Sequence, residues 1–526
     1  MQDVATAKDP GATPSLPEKN PGDSTAKSAG RGGLAIAIAK VSFIIFGFAQ
    51  QLILERLLGQ AGYGQISRVL AIVGVLNNVV VGTAIQGVSR SVSSVPEDQA
   101  ASAFARTLRV HVVIAVVLSI GFALAAGAIA EGVGAAHVTT PLRFVAAVVL
   151  LYGVYAPLVG SLNGRRKFLD QAGLDITYGL TRTIGMAIGA VVVMRMGGSG
   201  TFGAALGFVG AALFIVPVAL TRSGIGKMGS SGPTTSDYLT FLGPLALGQF
   251  SLNLLLQTDF MMLSRFVGEA AKQLGLGMAA MDELTGTYRG VQLFSFLPYQ
   301  LLMSVSFVLF PMLARARSEK NQADVTAYTR AGVRIALVLT GLISGTISSL
   351  APHVLRFAYK SNAIWEQGGP VLRILALGMG SFALLGITST ALTSLGRERT
   401  SAALTAIAVV LVGTGCWFVA SDAPFGQEMM LRTAMSTSIA LTVCAVAAAF
   451  ILRREAGGFV SPLSLVRVLV GVVVTVVVGA QMPWFSKPAV LIQGVVMALL
   501  YVVVLVVTGE LGKQDLRLVK KVLGKA

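Results

Sequence analysis

The chain has 526 residues, of which 54% are hydrophobic and only 12% charged, with Lys and Arg outnumbering Asp and Glu by 41 to 24. Its mean hydropathy is +0.75, which excludes an ordinary soluble domain and describes a polytopic membrane protein. The formal net charge of +17 sits mostly in short loops between apolar runs, where it marks membrane topology and not a nucleic-acid surface.

Residues 1–32, rich in Pro, Gly, Ser and charge, read as a disordered cytoplasmic tail without signal-peptide character. Apolar runs of about 20 residues, the length needed to cross the hydrocarbon, then follow in series. Six precede a Gly- and Ser-rich linker, at 34–54, 65–88, 110–130, 142–162, 172–194 and 201–220. Eight come after it, at 239–260, 286–313, 332–350, 371–394, 401–420, 430–452, 463–482 and 488–508. The expected fold class is all-α, with about 14 transmembrane helices. The expected units are an N-terminal lobe over 33–220, a linker over 221–238, a C-terminal lobe over 239–452, an extra pair over 453–508 and a basic tail over 509–526.

Arginine and lysine fall in alternate loops, including Arg165, Arg166 and Lys167, then Arg315, Arg317 and Lys320, then Arg453 and Arg454. That bias predicts both termini in the cytoplasm. The halves also repeat. Gly62 and Gly286 open corresponding spans at an offset of 224, and Ala103–Arg106 aligns with Ala327–Arg330 at the same offset. Six spans per unit preserve orientation, so the halves are expected to be parallel repeats with a substrate site between them near mid-membrane. The last pair is apolar almost all round, as for peripheral helices.

Polar residues inside spans recur in helical register. Gln249, Asn253 and Gln257 fall at i, i+4 and i+8, with Asp259 next, and Arg289 and Gln292 share a face of the following span. In the first half Lys40, Arg68, Asn78, Asp175 and Arg182 lie within spans. Such groups are costly in hydrocarbon and normally face a bundle interior or wet cavity. The competing reading is interhelical hydrogen bonding alone, with Asp175 and Arg182 neutralising each other. Lys40, Arg68 and Arg289 have no opposite charge at i±3 or i±4, and Asp175 and Asp259 read as the only buried carboxylates. His111, His137 and His353 are dispersed, Cys416 and Cys444 lie within spans, and the segment 261–285 reads as the longest outer loop. Neither a metal site, a cofactor site nor an enzyme's catalytic loop is expected.

The segments Glu55–Gly64, Leu162–Arg166, Thr285–Tyr288, Phe310–Pro311 and Leu395–Arg397 resemble those of the multidrug/oligosaccharidyl-lipid/polysaccharide (MOP) exporter superfamily, within it the bacterial polysaccharide, O-antigen-type flippases. The resemblance implies two six-helix lobes forming a V, an undecaprenyl-diphosphate-linked saccharide as cargo, the bacterial inner membrane as location and polysaccharide assembly proteins such as a polymerase as partners. It makes Lys40, Arg68 and Arg289 candidates for the diphosphate, with Asn78, Arg182 and Gln292 beside them on the cavity faces. Gln249, Asn253 and Gln257 become candidates for sugar hydroxyls, and Asp175 and Asp259 for a coupling proton or sodium ion. A lipid II flippase, which also has fourteen spans, is the nearest alternative; a drug exporter or a membrane polymerase or ligase fits less well.

Overall fold

The computed structural model describes residues 21–227, 229 and 232–512. The first five helices are α1 (Pro21–Ser93), α2 (Ala100–Gly132), α3 (Thr139–Gly164), α4 (Phe168–Arg195) and α5 (Gly200–Ser223). The second half holds α6 (Thr235–Gln273), α7 (Met278–Ser295), α8 (Leu297–Ser318), α9 (Gln322–Ser349), α10 (Ala351–Ala358), α11 (Asn362–Ser394), α12 (Glu398–Ala420) and α13 (Gln427–Ala456). Two more, α14 (Pro462–Ala480) and α15 (Lys487–Val507), close the described chain.

Among the described residues twelve helical stretches are long and apolar enough to cross a membrane. The first, Ala35–Ser93, carries two expected spans in its 59 residues. It breaks at Gly59, whose φ of 70° and ψ of 177° suit a residue without a Cβ. The expected eighth span is also broken, at Phe296, because Pro298 in the first turn of α8 has no N–H to continue the ladder of α7. Thr234 caps α6 by accepting from the Asp237 amide at 3.2 Å, so the helix starts at Thr235, ahead of the expected span start at 239.

Two expectations change. Residues 21–32 of the expected tail are helical, as the start of α1; residues 1–20 and the basic tail from 513 lie outside the described residues. The expected outer loop 261–285 is mostly helix, because α6 runs on to Gln273 and α7 starts at Met278. An apolar window locates the part of a helix in hydrocarbon and misses the charged turns that continue beyond it.

The packing pattern repeats between the halves. The second arm of α1 lies on α3, which also packs on α2 and α5, and the first arm lies on α4. Likewise α7 and α8 lie on α11, which packs on α9 and α13, while α6 lies on α12. Each half has its own apolar core, one built around Leu54–Ile215 and one around Leu255–Leu505. The lobes join along α1–α6 and α1–α7, whereas α8 packs on α9 and α11 instead of α1. This is the expected V, with the first arm of α1 and α8 flanking its open end. The extra pair docks on α9, burying Gln493, Met497, Tyr501 and Leu505 at i+4 intervals. The Tyr501 hydroxyl donates to the Val338 carbonyl at 3.0 Å, which anchors that apolar stripe to the core.

Candidate functional site between the lobes

The polar groups of the two halves meet first where α1 turns at Gly59. Gly64 and Gly286 let the backbones touch: a Cβ on Gly64 would run into the Asp282 carbonyl, and one on Gly286 into that of Gln60. Around this contact Gln60 donates to the Glu283 carbonyl at 3.0 Å and to the Thr287 hydroxyl at 2.7 Å. Ser361 donates to Gln60 Oε1 at 2.6 Å. Gln65 donates to Asp282 Oδ2 at 2.7 Å.

One turn further along, Arg68 and Asp282 form an ion pair with both side chains 0% exposed. Arg68 also donates to Ser264 Oγ at 2.8 Å and to the Met281 carbonyl at 3.3 Å, while His137 Nε2 lies 3.1 Å from Asp282 Oδ1. Arg68 is therefore not a standing open cation of the cavity. Its charge is answered by a carboxylate from the other lobe. Nor are Asp175 and Asp259 the only carboxylates to be buried: Asp282, Glu55 and Glu510 are buried as well, and Asp175 is only half-buried. The signal for Asp282 was Arg68 itself, since a cation deep in a span without a local partner demands one elsewhere.

The stripes of α6 and α7 also face each other. Asp259 accepts from the Tyr288 hydroxyl at 2.8 Å, from the Phe260 amide at 2.8 Å and from Gln292 Nε2 at 3.0 Å. The other end of Gln292, Oε1, accepts from Arg289 at 3.0 Å, and Arg289 donates to Gln257 Oε1 at 3.3 Å as well. The guanidinium lies over the Phe260 ring, 5.5 Å from its centroid. Gln292 thus links an anion and a cation that do not touch. Beside Asp259 is a cavity of about 10 Å³, lined by Phe296, Met379, Phe382, Val412 and Thr437 among others. That is about the room for one water-sized guest. Further toward the open end, Asn78 donates to Asn253 Oδ1 at 2.8 Å, and Gln249 covers Gly82.

In the N-terminal lobe Arg182 donates to Gln50 Oε1 at 2.8 Å and lies over the Phe43 and Phe208 rings. Among the described residues no ion pair joins Asp175 to Arg182, so the competing reading of a pair within α4 gives way, for Arg182, to partners on the first arm of α1. Lys40 is exposed. Phe48 meets Phe294 edge to face, with ring centroids 5.1 Å apart; counting along both helices from that contact puts Lys40 about 20 Å from the level of Arg289, at 1.5 Å per residue. Lys40, Arg68 and Arg289 therefore do not converge on one point. They are strung from the open end of the V to its closed end.

A family model described as "Polysaccharide biosynthesis protein" matches residues 29–317. The chain belongs to that family. A second model, MatE, matches residues 244–418, while no curated protein matches. Among solved structures, "Lipid II flippase MurJ, inward closed conformation" superposes with a TM-score of 0.70 at 15% identity, covering 89% of this chain and 97% of that one. An inward-facing multidrug resistance MATE family transporter of the MOP superfamily gives 0.61 at 15% identity, covering 80% and 98%. A MOP superfamily transporter from Pyrococcus furiosus, whose description speaks of reverse polarity of the binding pocket, gives 0.54 at 15%, covering 82% and 96%. Family membership and fold together place this chain in the MOP superfamily of flippases and exporters.

Proposed function

We propose that this protein flips an undecaprenyl-diphosphate-linked oligosaccharide from the cytoplasmic to the outer leaflet of the bacterial inner membrane, for polysaccharide biosynthesis. The observation that carries the reading is the spacing of the cations along the V in a member of this family. Lys40 stands exposed at the open end, Arg182 lies above it on the same lobe, and Arg289 lies deeper on the opposite one. A diphosphate entering from the Lys40 end meets successive positive charges, which lower the cost of taking an anion through low-dielectric surroundings. Gln249, Asn253, Asn78 and Gln257 offer amides to sugar hydroxyls along the same route. The loop charge bias puts the open end toward the cytoplasm, and a potential negative inside then favours export by about 2.3 kcal/mol per charge per 100 mV. No catalytic step enters this reading.

Lipid II is the second reading. It is favoured by the docked α14–α15 pair and by the extent of the match to MurJ. The two share the diphosphate chemistry and differ in the sugar. The test is flipping in proteoliposomes, with a diphosphate-linked oligosaccharide and lipid II as separate cargoes. Lys40→Ala and Arg289→Ala are expected to cut flipping of the preferred cargo about tenfold or more, since each removes a positive charge from the route of the diphosphate. Arg195→Ala, at an exposed helix end, is expected to keep the parent rate. Parent rates in both cavity variants would refute the cationic route, and faster flipping of lipid II would select the second reading.

A further inference from the structure

The ion pair at the closed end is more heavily built than a helix contact needs. Its members come from opposite lobes: α1 supplies Arg68 and Gln65, the short 3-10 turn 136–138 supplies His137, and α6 and α7 supply Ser264 and Asp282. Asp282 accepts from Gln65 and Arg68 and lies within hydrogen-bond distance of His137, all three in the N-terminal lobe. Arg68 in turn donates only to the C-terminal lobe among its hydrogen bonds here, to Ser264, Met281 and Asp282. Every one of these contacts therefore crosses between the lobes. None would survive their separation at this end.

We propose that the Arg68–Asp282 pair, held by Gln65, Ser264 and His137, is an inter-lobe latch that must break before the V can open at the Gly59 end. As the lobes begin to part, before water fills the gap, a guanidinium and a carboxylate lose each other in dry surroundings, and that cost falls on the route to opening. Orphaning one member of a buried pair is far more costly than losing a surface bridge. The latch thus sets how rarely this end opens. The inference rests on the geometry between the lobes and does not depend on which cargo is carried.

Ser67 provides the reporter, because it neighbours Arg68 and is 0% exposed. The two native cysteines, Cys416 and Cys444, are buried and are replaced by alanine to silence the background. In that full-length protein, Ser67→Cys is placed in nanodiscs, where a hydrophilic maleimide reaches both membrane faces, and its labelling rate is followed. Asp282→Asn and Arg68→Gln break the pair from opposite lobes, and each is expected to raise the rate about tenfold or more. The exchange Arg68→Asp with Asp282→Arg is expected to bring the rate back toward the parent's. Asp237→Asn, at an exposed cap, is the control and should leave it unchanged; size-exclusion profiles confirm that each variant is folded. An unchanged rate in both pair-breaking variants overturns the latch. So does a rise that the Asp237 control shows equally.

Discussion

Gly64→Ala tests the closeness of the lobes with a single carbon atom. The added Cβ would run into the Asp282 carbonyl and come to 3.0 Å from the Gly286 nitrogen. Both are backbone atoms, so no side chain can swing aside, and the helices must move apart. Overpacking of this kind costs about 1–3 kcal/mol. Because the strained contact is between lobes, the cost falls on the closed arrangement and shifts the balance about 5- to 150-fold toward the parted one. Gln60 and Ser361 report on it, since their side chains meet at 2.6 Å across the same end. With cysteines at these two positions and the native pair removed, disulfide formation is expected to slow in Gly64→Ala. Gly210→Ala is the matched control: nothing lies within 4 Å of a Cβ there, and the substitution only improves helix propensity by about 1 kcal/mol. Equal cross-linking rates in Gly64→Ala and Gly210→Ala would refute the reasoning.

Asp259→Asn keeps the shape of the side chain but removes the charge that accepts from Tyr288, Phe260 and Gln292. If Asp259 couples an ion, transport by this variant loses its dependence on sodium or pH; an unaltered dependence in proteoliposomes makes Asp259 a structural acceptor only. Topology is read with single cysteines at Ser318 and Ser486, both exposed in the structure. An impermeant thiol reagent on intact cells is expected to label the second and spare the first, and the reverse pattern would invert the assigned orientation.

The sequence by itself determined the all-helical membrane fold, the order of its apolar runs and the register of their polar faces. These are local properties: apolar length is read against bilayer thickness, and side-chain register against the 3.6-residue turn. Hence the spacing puts the stripe from Gln249 to Asp259 on one helical face and Arg289 with Gln292 on another, while the packing brings the two faces together. Choice of partner was not local. Arg68 and Lys40 look alike in sequence, each a cation in a span without a neighbour of opposite sign. Yet Arg68 is sealed by a carboxylate 214 residues away, while Lys40 stands exposed. His137 showed no signal at all, and Asp282 was hidden in a stretch whose charged turns read as loop. Only the tertiary structure decided these roles, because a buried charge is settled by whichever opposite charge the packing brings within reach. Here that is set by two glycines, Gly64 and Gly286, whose missing side chains let one lobe approach the other.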